Sequence, residues 1–357
     1  MLNFAQLLRD TKEIIFKACS DLKDPVAKHT LRCSPYALSL SNGSGEIGLT
    51  RPTIILGLSG GPDSVFLLYL LAQLQDEGFI KLIAAHLDHG WRSNSADDVT
   101  FCQKLCNRFG VQLISGHANN NALNAKQNGS LEELGRKLRR SFLENVMREQ
   151  QANLIALAHH RQDQQETFLL RLLRGSSLAG LRCMDSITLP YIRPLLTTDK
   201  RDIVAFLDAH NIAYLTDPTN QADDFLRNRI RKYVIPALRD CDERFEQKCE
   251  STIQHLQAED DFLKKLTLQA FGSIFDTKMH GSLTALRTCE PVIQKRLVIH
   301  WLVEQKASFK PSENFITEVL KFLLSSRGGT HQLGEHWALV KKQNSFWLKH
   351  SVDQPTL

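Results

Sequence analysis

The sequence predicts a doubly wound α/β domain on a mainly parallel sheet, followed by a mainly helical C-terminal domain with a small terminal β-hairpin. Three observations predict it. From residue 52 to about 175, short β-rich apolar runs alternate with longer amphipathic stretches, the pattern of a parallel sheet with helices on both faces. After Pro236 the strand-like runs stop and helical periodicity takes over. Between the first apolar run and the first helix lies the turn Ser59-Gly60-Gly61-Pro62-Asp63-Ser64, at the carboxyl end of a strand, where such sheets bind ligands.

In chain order, residues 1–50 read as an appendage: an amphipathic helix carrying Phe4, Leu7, Leu8, Ile14 and Ile15, then a Ser/Gly/Asn-rich link at 39–48. Strands are predicted at 53–58, 82–86, 111–115 and 154–159, and helices at 65–75, 96–109, 131–149 and 164–174. Further on, 245–275, 291–305 and 313–325 read as helices. The runs Leu339-Val340 and Phe346-Trp347-Leu348, split by residues 341–344, read as the closing hairpin. The expected domains are a 1–50 extension, a 51–236 catalytic domain and a 237–357 helical domain.

Composition narrows the class. With 357 residues, 42% hydrophobic and 23% charged, the chain is neither disordered nor fibrous and has room for more than one core. No run approaches the ~20 apolar residues that cross a bilayer. The N-terminus already carries Arg9 and Asp10, so a cytoplasmic protein without a membrane partner is expected. The eight cysteines are scattered, which favours reduced thiols over disulfides or metal ligands. The net charge of +5 is mild, but its placement is not even: Arg136, Lys137, Arg139 and Arg140 form one cluster, and Arg227, Arg229, Arg231 and Lys232 another. Both suit contact with a phosphate backbone, and each also suits a solvated helix face.

The 59–64 turn is the sharpest motif. Glycines let a phosphate approach the backbone, while the serine hydroxyls and the N–H groups of the helix start point at the anion. The lysine of a Gly-Lys-Ser/Thr phosphate loop is absent; Asp63 instead offers a carboxylate for Mg²⁺ or for a substrate amine. A second motif follows the fourth predicted strand: His159-His160-Arg161-Gln162-Asp163-Gln164-Gln165-Glu166-Thr167. His159, Asp163 and Glu166 are spaced i, i+4 and i+7 and share one face if a helix starts here, giving an amine-binding and proton-handling site. His160 is expected to be bystander surface. The same spacing also describes a solvated face whose acids favour the helix dipole, and the loop at 59–64 tips the balance toward chemistry.

The 59–64 loop resembles the signature of the ATP-pyrophosphatase (PP-loop) superfamily, of adenine nucleotide alpha hydrolase-like fold, whose members cleave ATP between its α- and β-phosphates. The 159–167 stretch, running into Leu169-Leu170-Arg171-Leu172-Leu173-Arg174-Gly175, resembles the motif of the lysidine synthetase family, with Gln162 where many members carry an acid. His86-Leu87-Asp88-His89-Gly90-Trp91-Arg92, Leu131-Glu132-Glu133-Leu134-Gly135-Arg136, Arg193-Pro194-Leu195-Leu196, Asp217-Pro218-Thr219-Asn220 and Arg227-Asn228-Arg229-Ile230-Arg231 look like further family segments in the same order.

The resemblance implies ATP and Mg²⁺ as cofactors, and free lysine and tRNA(Ile) with a CAU anticodon as partners. The implied reaction is adenylation of C2 of the wobble cytidine, then attack by the lysine ε-amine, changing codon specificity from AUG to AUA and amino-acid specificity from methionine to isoleucine. ATP would lie on Ser59, Gly60, Gly61, Pro62, Asp63 and Ser64, with Mg²⁺ on Asp63. Asp63, Arg136, His159, Asp163 and Glu166 would be catalytic, and Arg227, Asn228, Arg229 and Arg231 would bind tRNA. A homodimer is left open. Of the rivals, a tRNA thiolase of the same superfamily would need a Cys-x-x-Cys pair, which the chain lacks. An amidotransferase-type synthetase would need a glutaminase domain, for which the segment after 236 is too short and too helical. A non-catalytic RNA-binding protein on a nucleotide fold would have no use for Asp63 beside two glycines.

Overall fold

A computed structural model describes residues 2–23, 51–88, 90, 95–118, 131–216, 225–307, 312–334 and 336–350. The links at 39–48 and 217–220 and the residues His89, Trp91 and Arg92, all singled out above, lie outside the described residues. The first elements are α1 (Phe4–Lys23), β1 (Thr53–Gly57), α2 (Pro62–Asp76), β2 (Lys81–Asp88), α3 (Ser95–Arg108), β3 (Gln112–His117), α4 (Leu131–Glu149) and β4 (Leu154–Ala156). They are followed by α5 (Arg161–Leu173), α6 (Leu178–Leu181), β5 (Ile187–Thr188), β6 (Tyr191–Ile192) and α7 (Lys200–Ala209). The sheet order is β3-β2-β1-β4-β6-β5, parallel throughout except for β5 against β6.

The central strands β1, β2 and β4 read as short apolar runs because both of their faces are covered. Ile54, Leu56, Leu82, Ala84, Leu154 and Ala156 face a layer built from α1, α2, α3 and α7. Ile55, Ile83, Ala85 and Ile155 face Leu143, Val146 and Met147 of α4. From β1 the chain winds outward to β2 and β3, then returns to β4 on the other side of β1. That reversal opens a crevice beyond the carboxyl ends of β1 and β4, the usual place for a ligand in an open α/β sheet. Both motifs begin there.

Three expectations change. First, α1 is no appendage: Leu7, Ile15 and Ala18 are buried in the same core as α2, and Phe4 stacks on Phe206 with ring centroids 5.1 Å apart and meets Phe66 edge-on. Its amphipathic stripe is wide enough to close the sheet's outer layer, which a free-standing helix would leave in water. Ile15→Ala is therefore expected to cost about 2–4 kcal/mol by urea unfolding, as for other core truncations; a cost under about 0.5 kcal/mol would return the helix to the status of an extension.

Second, the chain divides into compact units Met1–Ile253 and Gln254–Leu357, and not at residues 50 and 236. After α8 (Leu226–Arg229), a π-helical turn at Ile230–Val234 and α9 (Ile235–Cys241), the long helix α10 (Phe245–Ile274) begins within the first unit. There Cys249 and Ile253 pack with Cys183 and Phe168. Third, the predicted terminal hairpin is the centre of a larger sheet. The second unit contains β7 (Gly281–Ser282), α11 (Leu283–Arg287), α12 (Pro291–Glu304), α13 (Glu313–Leu324), β8 (Gly329–Gln332), β9 (Trp337–Lys342) and β10 (Ser345–His350). The predicted hairpin is β9–β10, extended on its two edges into a four-stranded antiparallel sheet, β7-β10-β9-β8. Its core holds the fully buried Trp301 and Phe346, with the Trp301 indole N–H donating to the Met279 carbonyl at 2.9 Å. No helix among the described residues is long and apolar enough to cross a membrane.

Candidate active site

The loop after β1 is shaped by its own serines. Ser64 Oγ donates to the Gly61 carbonyl at 3.0 Å, accepts the Ser59 N–H at 3.2 Å and lies 3.1 Å from Ser59 Oγ. These bonds curl the chain into the start of α2, where Gly61 occupies the cap position without a side chain and Pro62 opens the first turn. The first-turn N–H groups of Asp63 and Ser64 face outward from a 15-residue helix, an arrangement suited to an anion. Gly60 has φ +83°, and a Cβ there would stand 2.7 Å from Leu215 Cδ1. The same residue's carbonyl accepts the Leu215 N–H at 2.8 Å, so only glycine lets the chain after α7 lie against the loop.

Across the crevice, β4 ends at Ala156, earlier than the predicted 159, and α5 begins at Arg161, three residues before the predicted 164. His160 thereby becomes the N-cap, its N–H donating to Asp163 Oδ2 at 2.9 Å. This reverses the expectation of bystander surface: His160 is 3% exposed, and its Nε2 lies 3.6 Å from Asp63 Oδ2 and 3.5 Å from Asp163 Oδ2. One imidazole thus joins the two motifs. Sequence reasoning also missed Lys200, whose Nζ lies 3.2 Å from Asp63 Oδ2; it is separated from Asp63 by 137 positions and belongs to no motif that would have marked it. Gln162, the departure from the usual acid, has a structural use: its Oε1 accepts the backbone N–H of Lys200 at 3.1 Å and steadies the start of α7.

Glu166 and two of the expected tRNA-binding arginines meet one another. Glu166 is 1% exposed. Arg227 Nε donates to its Oε2 at 2.8 Å, and Arg231 donates from Nε to Oε1 at 2.6 Å and from Nη2 to Oε2 at 3.0 Å. A carboxylate buried so fully needs such partners, because an unpaired charge there would be costly. Residues 227 and 231, four apart, share the face that meets Glu166, with Arg231 still 42% exposed at its side chain; Arg229 is exposed. Arg227 Nη2 also stands 3.6 Å from Asp163 Oδ1. The result is a chain of alternating basic and acidic side chains, Lys200–Asp63–His160–Asp163–Arg227–Glu166–Arg231.

Protonation follows from these neighbours. Burial drives the His159 imidazole down to about 4; the nearby Arg193, Arg136 and Arg227 charges add to the effect, and Asp163 opposes it only in part. His159 is therefore a neutral imidazole at physiological pH, with its Nδ1 buried and without a hydrogen-bond partner. Burial alone would raise the Asp163 carboxyl, yet His160, His159, Arg227 and the His160 N–H together hold it below its ordinary value, so it stays ionised. Arg136 is exposed on α4, close enough to His159 for its charge to be felt. Asp63 Oδ1 is buried with no hydrogen-bond partner. A bare carboxylate oxygen beside an anion cradle fits Mg²⁺, a hard cation that prefers oxygen. No group of three or more His, Cys, Asp or Glu among the described residues makes a complete metal cage. A single carboxylate completed by phosphate oxygens and water is the usual Mg²⁺ arrangement at nucleotide sites.

Residues 38–238 match a family model described as a PP-loop domain. The chain is similar to the tRNA(Ile)-lysidine synthase of Bacillus cereus, 32% identical over 323 residues that cover 86% of this chain and 68% of the relative. It is similar to the enzyme of the same name from Chlamydia pneumoniae, 32% identical over 299 residues that cover 80% of this chain and 89% of the relative. Among solved structures it resembles the U34-tRNA thiolase NcsA from Methanococcus maripaludis, with a TM-score of 0.50 and 18% identity over 68% of this chain and 79% of that one, a likeness of fold.

Proposed function

Because the chain belongs to the tRNA(Ile)-lysidine synthase family of PP-loop proteins, we propose that it ligates free lysine to C2 of the wobble cytidine in the CAU anticodon of tRNA(Ile). The observation that carries this reading is the convergence of Asp63, His160 and Asp163 between the carboxyl ends of β1 and β4, beside an anion cradle. Two carboxylates there, one of them (Asp163) held in its ionised form by its neighbours, suit a substrate that arrives as an ammonium ion and must leave its proton behind.

Cytosine C2 resists substitution because its oxygen is a poor leaving group. In the first half-reaction that oxygen attacks the α-phosphorus of ATP, the bond from the α-phosphorus to the bridging oxygen breaks, and pyrophosphate departs. In the second, the ε-nitrogen of lysine bonds to C2, the C2–O bond breaks and AMP carries the oxygen away. Free lysine has an ε-amine pKa near 10.4, so a carboxylate must hold the ammonium and take a proton as the nitrogen attacks. Asp163, ionised and joined to Asp63 through His160, is suited to that task. His159, neutral, accepts or donates a hydrogen bond and carries no charge toward the base. Arg136, whose charge reaches His159, is proposed to orient the base or its adenylate with its planar fork. Mg²⁺, held by Asp63, would screen the charge that develops on the phosphates. Arg229, with the helical unit, is proposed to contact the tRNA backbone.

The test is incorporation of radiolabelled lysine into an unmodified tRNA(Ile) transcript bearing CAU, with and without ATP. ATP-dependent incorporation, matched by equal amounts of AMP and pyrophosphate, is expected. If ATP is cleaved to AMP in the presence of bulk tRNA while no lysine is incorporated, the chain performs a different base modification.

A further inference from the structure

The phosphate cradle at 59–64 contains no lysine, although an ATP polyphosphate laid there carries three or four negative charges, and it places the Asp63 carboxylate directly beside them. An anion next to a bare carboxylate is repelled unless a cation stands between or alongside. Sites that bind polyphosphates usually supply such a cation from a fixed stem. In this fold one is at hand. Lys200 opens α7 just after β6, which pairs with β4, and its ammonium lies 3.2 Å from Asp63 Oδ2.

We propose that Lys200 is a phosphate-binding residue of the ATP site, supplying in space the lysine that the loop lacks in sequence, and that its ammonium passes from Asp63 to the phosphate oxygens when Mg²⁺·ATP arrives. The inference rests on the ATP-dependent reading above. Three features support it. The backbone of Lys200 is held, its N–H given to Gln162 Oε1 and the preceding Asp199 capping the helix through the Arg201 N–H at 2.8 Å, so the side chain pivots about a fixed point. The side chain is 42% exposed, so it turns without opening the core. Asp63 keeps a second partner, His160, on the same oxygen and a bare buried Oδ1, so the carboxylate can exchange the ammonium for a metal ion without being left alone. Free lysine and Lys200 carry the same ammonium group, so the rival role for Lys200 is a plug that holds Asp63 closed until substrate displaces it.

Calorimetric titration with Mg²⁺ and α,β-methylene-ATP, which the enzyme cannot cleave between those phosphorus atoms, separates the two without relying on turnover. Lys200→Met is expected to bind this analogue about ten- to a hundredfold more weakly than wild type, the scale of one charge-assisted hydrogen bond. Lys200→Arg is expected to stay within about threefold, since it keeps the charge, and adenosine, lacking phosphates, should bind all three proteins alike. Unchanged affinity in Lys200→Met overturns the proposal, and tighter binding overturns it in favour of the plug. Loss of adenosine binding as well would make Lys200 a structural prop and overturn it too. If the analogue binds in a Lys200-dependent way while wild type incorporates no lysine, the ligase reading fails and this inference stands.

Discussion

Asp63→Asn is expected to slow lysine incorporation by at least about a thousandfold while leaving the fold intact. The substitution keeps the shape of the side chain, and at 23% exposure the site tolerates an amide without opening a cavity. What it removes is the anion. Oδ1, buried and unpartnered, is the oxygen best suited to a cation, and Oδ2 is shared by Lys200 and His160. With a neutral amide in its place, the proposed metal ion would lose its protein ligand and Lys200 loses its resting partner. The loss should appear in single-turnover incorporation at saturating ATP and lysine, with a thermal midpoint within a few degrees of wild type. Activity within tenfold of wild type would move the essential carboxylate to Asp163.

Glu166→Ala is expected to act on stability first. The motif suggests a catalytic carboxylate at this position, but the side chain is 1% exposed and both of its oxygens already accept from Arg227 and Arg231, which ties it to the ion cluster. Removing one partner from a buried ion cluster typically costs 3–5 kcal/mol. The lower end applies here, because Arg231, 42% exposed, can turn toward water. A loss of about 3 kcal/mol in a unit of this size lowers the melting midpoint by roughly 6–12 °C. The unfolding should be read by differential scanning calorimetry alongside analogue binding at low temperature, which is expected to persist. An unchanged melting midpoint with no activity would restore Glu166 to the chemistry.

The contrast between these two residues shows which kind of information a sequence carries. Asp63 was legible because glycine, proline and serine fix its surroundings within six positions, and local chemistry of that sort reads directly from a string of residues. The parallel sheet was legible for a similar reason: β1, β2 and β4 each bury a short apolar run. The partners of Glu166 were not legible because spacing along one helix says which residues share a face, but not what that face meets; Arg227, 61 positions away, supplies one of them. His160 was set aside because moving the helix start from 164 to 161 turns a surface histidine into a buried cap. Lys200 and the strand β7 depend on pairings across distant parts of the chain. The helix α1 was legible as a helix, but its partners Phe66 and Phe206 were not.

The alternating series from Lys200 to Arg231 has a consequence for how a nucleic acid finds this protein. Its imidazole aside, the series sets three basic side chains, Lys200, Arg227 and Arg231, against three acidic ones, Asp63, Asp163 and Glu166, and seen from a Debye length away they offset one another. The interior therefore exerts almost no pull on an approaching polyanion, despite the overall charge of +5. Long-range attraction falls to exposed basic residues such as Arg136, Lys137 and Arg229. Encounter and chemistry are thus assigned to different charges: the rim governs how quickly a tRNA arrives and how strongly salt slows it, while the compensated interior governs what happens once a base has entered.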